Sequence, residues 1–371
     1  MMTTTLAQPA DPFLEAQAVL AGGVSASMRL HPYLGRPLYV DHGEGPYLYD
    51  LDGKRYIDFN MSNGAALLGH NHPAVKEAVI KGVELGIICA AETPYHEALA
   101  TRLIEIIPAA ERVRFSSVGS EVTIVALRIA RNATGRDKYL KFDGHFHGLT
   151  EPWLYRKDDP LDAESPVVPS SGGVPAHAAN DVVMVAWNDA DAFEHAIARH
   201  GAELAAVICE GIHFNAGCIP PEPGFLDLIR ARCSEHGIVF IMDEVLSGFR
   251  THLGGVQAQF GVIPDLTTHA KALANGLPLS SVSGREELML QLAPPRYLGQ
   301  FYGLYAMVGR FAAITGPLLW SFVVDGLGLG RPAAVLTLAV WVVISYVILR
   351  GVSNEPHTWG PEDLAPVDTP A

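Results

Sequence analysis

The chain has 371 residues, with 40 acidic side chains against 26 basic ones and a formal net charge of −14. That length suggests two domains, and the acidic balance argues against nucleic acid as a partner and for a soluble, cytoplasmic protein. The four cysteines, Cys89, Cys209, Cys218 and Cys233, lack metal-type spacing, so reduced thiols are expected and no metal site is.

Residues 1–20 read as a disordered tail, and Met1 to Pro12 lacks the basic and apolar segments of a signal peptide. An N-terminal segment, 21–75, follows. Gly22 to Met28 is a flexible opening that leads to a single Arg29, by itself a surface charge. Pro46 to Phe59 predicts a β-hairpin turning at Asp52-Gly53. His70 and His72 have no carboxylate or Cys at ligand spacing, so a loop running into a helix is expected there.

A large α/β domain is expected over 76–292. Arg112 to Ser117 reads as a strand, and Gly119-Ser120 then opens a helix. A Gly and a hydroxyl at a helix start suit either an N-cap or a phosphate, because free N–H groups face the anion. Lys138 to Phe142 is the next strand, followed by Phe146, by itself a core aromatic at a strand end, and by His147, a turn residue. Residues 151–181 read as a long loop. Strands at Asp181 to Trp187 and Leu204 to Cys209 flank a helix from Asp191 to His200, a pattern of parallel crossovers. Glu210 stands at the end of the second strand, as a solvated acid or a substrate contact.

Phe225 to His236 predicts the helix before the central strand. There, five apolar residues, Ile238 to Met242, run into Asp243-Glu244-Val245. Such a run predicts a strand buried on both faces, whose carboxyl end is where open α/β sheets bind ligands. Lys271 lies 28 residues after Asp243 (271 − 243), among small and apolar residues. A lysine is costly to bury unless its charge is neutralised or used. A desolvated Lys is a Schiff-base nucleophile, and an Asp with a Lys suits pyridoxal 5'-phosphate, which needs a Lys for its aldehyde and an Asp for its ring nitrogen.

Met242 to Arg250, Pro264-Asp265-Leu266-Thr267 and Lys271 together resemble the class III aminotransferases of pyridoxal-phosphate fold type I, with glutamate-1-semialdehyde 2,1-aminomutases the nearest in pattern. The resemblance covers about residues 20–290. It implies a mostly parallel sheet with helices on both faces, a homodimer, and transfer of an amino group between small-molecule donor and acceptor. It also implies that Lys271 is catalytic, Gly119 and Ser120 hold the phosphate, Phe146 and Val245 flank the ring, Asp243 faces its nitrogen, and Arg29 and Glu210 meet substrate. Four positions depart from the pattern: Asn63 replaces an aromatic, Val118 replaces a Ser, Ser120 replaces a Thr, and Gly211 replaces a Pro.

After Met289 this likeness is expected to stop. Phe301 to Val324 carries one charge, Arg310, and Pro332 to Leu349 carries none. Two hydrophobic, transmembrane-like helices are therefore expected over 293–350, with membrane association through 301–349 and a polar tail at 351–371. Residues 303 to 320 resemble a late helix of major facilitator transporters. A complete enzyme of the resembled family continues past the lysine with a phosphate-reaching loop and a small C-terminal domain. Neither is recognisable, so a truncated and impaired enzyme is expected. The alternative is a non-catalytic, membrane-associated fusion protein that keeps a residual cofactor-binding scaffold.

Overall fold

The computed structural model describes residues 11–86, 91–160, 162, 165–292, 317, 319–333, 335–337 and 339–340. Three strands near the N-terminus, β1 (Val40–Glu44), β2 (Tyr47–Asp50) and β3 (Arg55–Ile57), form an antiparallel meander. The β2–β3 turn is the expected hairpin, with Gly53 at φ 77°. Within the expected tail, Pro12–Gln17 is a short helix capped by Asp11, whose carboxylate also pairs with Arg36 at 2.8 Å.

The central sheet has seven strands: β4 (Arg112–Ser116), β5 (Lys138–Phe142), β8 (Val182–Val185), β9 (Leu204–Cys209), β10 (Val239–Asp243), β11 (Leu266–His269) and β12 (Ser280–Gly284). Their order is β4-β12-β11-β10-β9-β5-β8. β12 runs antiparallel to both of its neighbours, β4 and β11, and every other neighbouring pair is parallel.

The apolar run before Asp243 is buried on both faces, as expected. Phe240 and Met242 join one core with Phe193, Ile197, Phe225 and Ile229 from the helices Ala190–His200 and Phe225–His236. Val239 and Ile241 join the other, with Val122, Ala126, Leu127 and Ile129 from the helix Gly119–Thr134. Alternation along the strand and a helix layer on each face account for this.

The stretch expected to be a long loop, 151–181, is more ordered than its composition indicates. It holds a hairpin of β6 (Tyr155–Lys157) and β7 (Val167–Pro169) and two 3-10 turns, Glu151–Trp153 and Ala176–Asp181. Trp153 and Tyr155 are buried and anchor it.

The hydrophobic helical hairpin expected over 293–350 and the transporter-like pattern at 303–320 lie largely outside the described residues. Among the described residues no helix is long and apolar enough to cross a membrane. The described part of that region contains a π-helical turn, Phe322–Gly326, and the helical path then breaks at 327–329, where Gly328 and Gly330 take positive φ. Glycine enters that left-handed region without the steric cost of a Cβ.

Candidate active site

The carboxyl ends of β4, β5, β9, β10 and β11 gather around one cavity, the place where open α/β sheets bind their ligands. It brings together residues far apart in sequence: Gly119, Ser120, Phe146, Glu210, Asp243, Val245 and Lys271 all line it, with Thr123, His147, Gly148, Asn215 and Leu246. Arg29 does not line it. Arg29 is exposed and donates to Ser25 Oγ at 2.9 Å.

One end of the cavity is the start of the 16-residue helix Gly119–Thr134, whose first N–H groups have no partner within the helix. Glu121 Oε2 accepts the N–H of Ser117 at 2.8 Å and fixes the approach to that helix. Ser120 Oγ accepts the N–H of Leu149 at 3.1 Å and keeps its own proton to donate. Close packing surrounds this end. A Cβ on Gly119 would lie 3.0 Å from Val245 Cγ1, and one on Gly148 would lie 2.6 Å from Ser120 Oγ.

At the other end stands Asp243, buried to 4% exposure. Its Oδ1 accepts the Val245 N–H at 3.0 Å and the Thr268 hydroxyl at 2.9 Å. Its Oδ2 accepts the Nδ1–H of His147 at 2.7 Å. An ionised carboxylate offers about four acceptor sites, so one remains, on Oδ2. His147, expected as a simple turn residue, is in fact buried at 2% exposure. A strand end followed by His-Phe-His-Gly did not reveal it, because the burial depends on β5 lying two places from β10.

Lys271 begins the 3-10 turn Lys271–Ala274 with φ 46°. Burial pushes its amine below the ordinary lysine range; Asp243 opposes this and the Arg250 guanidinium assists it. Arg250 itself is half-buried and donates to the carbonyls of Leu246 and Gly64. Glu210 is buried at 3% exposure. It accepts the N–H of Phe146 at 2.7 Å, the N–H of Phe214 at 3.2 Å and Asn215 Nδ2 at 2.9 Å. These contacts make it a tether for Phe146 and Asn215. Asn63 sits in a left-handed turn and contacts Asn60 and Met28. Among the described residues no three His, Cys, Asp or Glu side chains are grouped to hold a metal.

A family model described as "Aminotransferase class-III" matches residues 31–306. The chain belongs to the class III aminotransferases. The aminotransferase match thus runs past Met289, where the likeness was expected to end, and nothing in the comparisons supports the transporter resemblance. Among solved structures, an omega-transaminase from Sphaerobacter thermophilus is 36% identical, with a TM-score of 0.72 over 76% of this chain and 64% of that one. A transaminase with PLP bound is 29% identical, with a TM-score of 0.71 over 77% of this chain and 66% of that one. A glutamate-1-semialdehyde-aminomutase from Pseudomonas aeruginosa PAO1 is 26% identical, with a TM-score of 0.69 over 76% of this chain and 61% of that one. This chain therefore spans less than two thirds of the length of these relatives.

Class III aminotransferases use pyridoxal phosphate, and the cavity fits that group. The spare acceptor on Asp243 Oδ2 suits a ring N–H, the helix start at Gly119 suits a phosphate, and Lys271 lines the space shared with both.

Proposed function

We propose that this chain transfers an amino group between small molecules using pyridoxal phosphate, with Lys271 as the catalytic amine. The observation that carries the reading is the single cavity into which Lys271, Asp243 and the Gly119-Ser120 helix start converge. Bound there, pyridoxal phosphate supplies an aldehyde for amine exchange and an electron-withdrawing ring.

The residues divide the work. Gly119 and Ser120 bind the phosphate through the helix N–H groups and the Ser120 hydroxyl. Phe146 and Val245 flank the ring, Phe146 being held through its N–H by Glu210. Asp243, held by three hydrogen bonds, would face the ring nitrogen and accept its N–H. Lys271 Nζ takes the proton from the substrate α-carbon and returns it, a task favoured by its lowered pKa. Transfer between two molecules is preferred over an internal amine shift, because identity to the transaminase exceeds identity to the aminomutase. A homodimer is part of the proposal. The N-terminal segment and the helix Pro73–Glu84 expose Tyr33, Phe59, Ile80 and Val83, apolar surface that a second copy would cover.

Borohydride treatment of the protein incubated with pyridoxal phosphate, followed by peptide mass mapping, should place the label on Lys271. An amino donor should then convert the unreduced, loaded protein to the amine form of the cofactor in a single turnover. Label on another lysine, or none on folded protein, would sink the proposal.

A further inference from the structure

We propose that a second copy of this chain docks against the open face of the helix Ala190–His200, about a two-fold axis at His195 that sets Asp191 of each copy against Arg199 of the other. This face is separate from the exposed apolar surface of the N-terminal segment. The inference therefore stands apart from the functional reading.

The helix gives Phe193 and Ile197 to the core. On one flank Glu194 is already paired, with Arg232 at 2.7 Å. The remaining face lines a groove that runs beside β8, the end strand of the sheet. Asp191, His195 and Arg199 stand on that face in steps of four residues, which places them on one stripe of the helix. All three are exposed, and among the described residues none of them makes an ion pair or a side-chain hydrogen bond.

The helix dipole favours an acid at the start and a base at the end of any helix. Here those ends have other groups as well. Asp189 caps the start by accepting the Ala192 N–H at 2.9 Å, and His200 stands in the last turn. Asp191 and Arg199 lie about 12 Å apart along the axis, with His195 midway. A stripe that is negative at one end and positive at the other matches itself when turned end over end. A uniformly acidic or uniformly basic partner would meet repulsion at one end, so a second copy is the partner that fits. Beside the stripe, Ala192 and Ala196 carry only methyl groups, which lets two such helices approach closely. The ridge of each copy then enters the groove of the other, an isologous contact. It also covers β8, which among the described residues has a sheet neighbour on one side only.

The test uses two charge reversals and their mixture. Asp191→Lys makes both ends of the stripe positive, and Arg199→Glu makes both ends negative. Each variant repels its own copy, so each should weaken self-association by roughly 30-fold or more. In sedimentation, at concentrations where the parent is fully associated, each should show half the mass of the parent. Mixed in equal amounts, unlike copies attract at both ends, and the mass of the parent should return. That recovery also shows that both variants are folded. The neutral variants Asp191→Asn and Arg199→Gln should each weaken association by about fivefold, which keeps the test open if a reversal disturbs the helix.

A parent whose mass is unchanged by both the reversals and the neutral variants overturns the proposal. A mixture of folded variants that stays at the halved mass overturns the two-fold arrangement, and the proposal with it.

Discussion

The Asn275 side chain is paired with the backbone at Leu68: Oδ1 accepts the Leu68 N–H at 2.8 Å, while Nδ2 donates to the Gly69 carbonyl at 3.1 Å. One amide thereby ties the turn that starts at Lys271 to the N-terminal segment. Asn275 is itself left-handed, with φ 52°. Asn275→Gly keeps that backbone and loses the bridge, so it should cost about 1 kcal/mol in urea unfolding. Asn275→Ala loses the bridge and also strains the backbone, so the cost should be about 2 kcal/mol. A Gly variant as stable as the parent would mean that water replaces the bridge without loss.

Lys141 provides a pH test. Burial pushes its amine down to about 8 from an ordinary 10.5, and its Nζ donates to the carbonyls of Trp153 and Tyr155. Between those two values the unfolded chain holds a proton that the folded chain has released. Stability contributed by this site therefore rises with pH across the window, by roughly 3 kcal/mol in all. Below pH 8 the full cost of the buried charge is present. Subtracting the stability–pH curve of Lys141→Met from that of the parent should isolate this slope, and a flat difference would refute it.

Gly148 should tolerate no side chain. It has φ 117°, and a Cβ there would lie 2.6 Å from Ser120 Oγ and 2.9 Å from Ser120 Cα. Gly148→Ala should cost about 2 kcal/mol or more in stability. It should also weaken pyridoxal-phosphate binding measured by fluorescence titration, because Ser120 must shift.

Asp243→Asn should separate capture from turnover. The Lys271 amine remains, so borohydride labelling should persist. The anion beside the ring nitrogen is gone, so the single-turnover rate should fall by about 100-fold or more. Equal loss of labelling and rate in a folded variant would count against the role given to Asp243.

Much of this site was legible in the sequence because its residues follow strand ends. Ile238 to Met242 announced a doubly buried strand, so Asp243 fell at a carboxyl edge. Lys271, two residues after β11, and Gly119, three after β4, reach the same edge for the same reason. Contacts set by strand order were not legible. His147 follows β5, and only the intervening β9 brings it to Asp243 on β10. Trp153 lies in a stretch whose Pro, Ser and Gly content read as loop, yet its indole is buried against Thr123. Glu210 read as a solvated acid or a substrate contact, because the backbone N–H groups that take up its oxygens are displayed by no sequence pattern.

The place of β12 has a consequence for the order of events during synthesis. This strand joins β4 to β11, pairing Ser280 with Ser116 and Ser281 with His269. Within the sheet, β4, which leads to the phosphate-side helix, and β11, which leads to the lysine turn, are therefore joined by a strand made after both. While the ribosome has yet to deliver Ser280 to Gly284, β4 has no neighbour in the sheet, and its open edge waits through more than 160 residues of translation (280 − 116). At about 5–20 residues per second that interval lasts on the order of ten seconds or more. An exposed strand edge is open to wrong pairing throughout that interval, so the nascent chain is most vulnerable just before the site can exist.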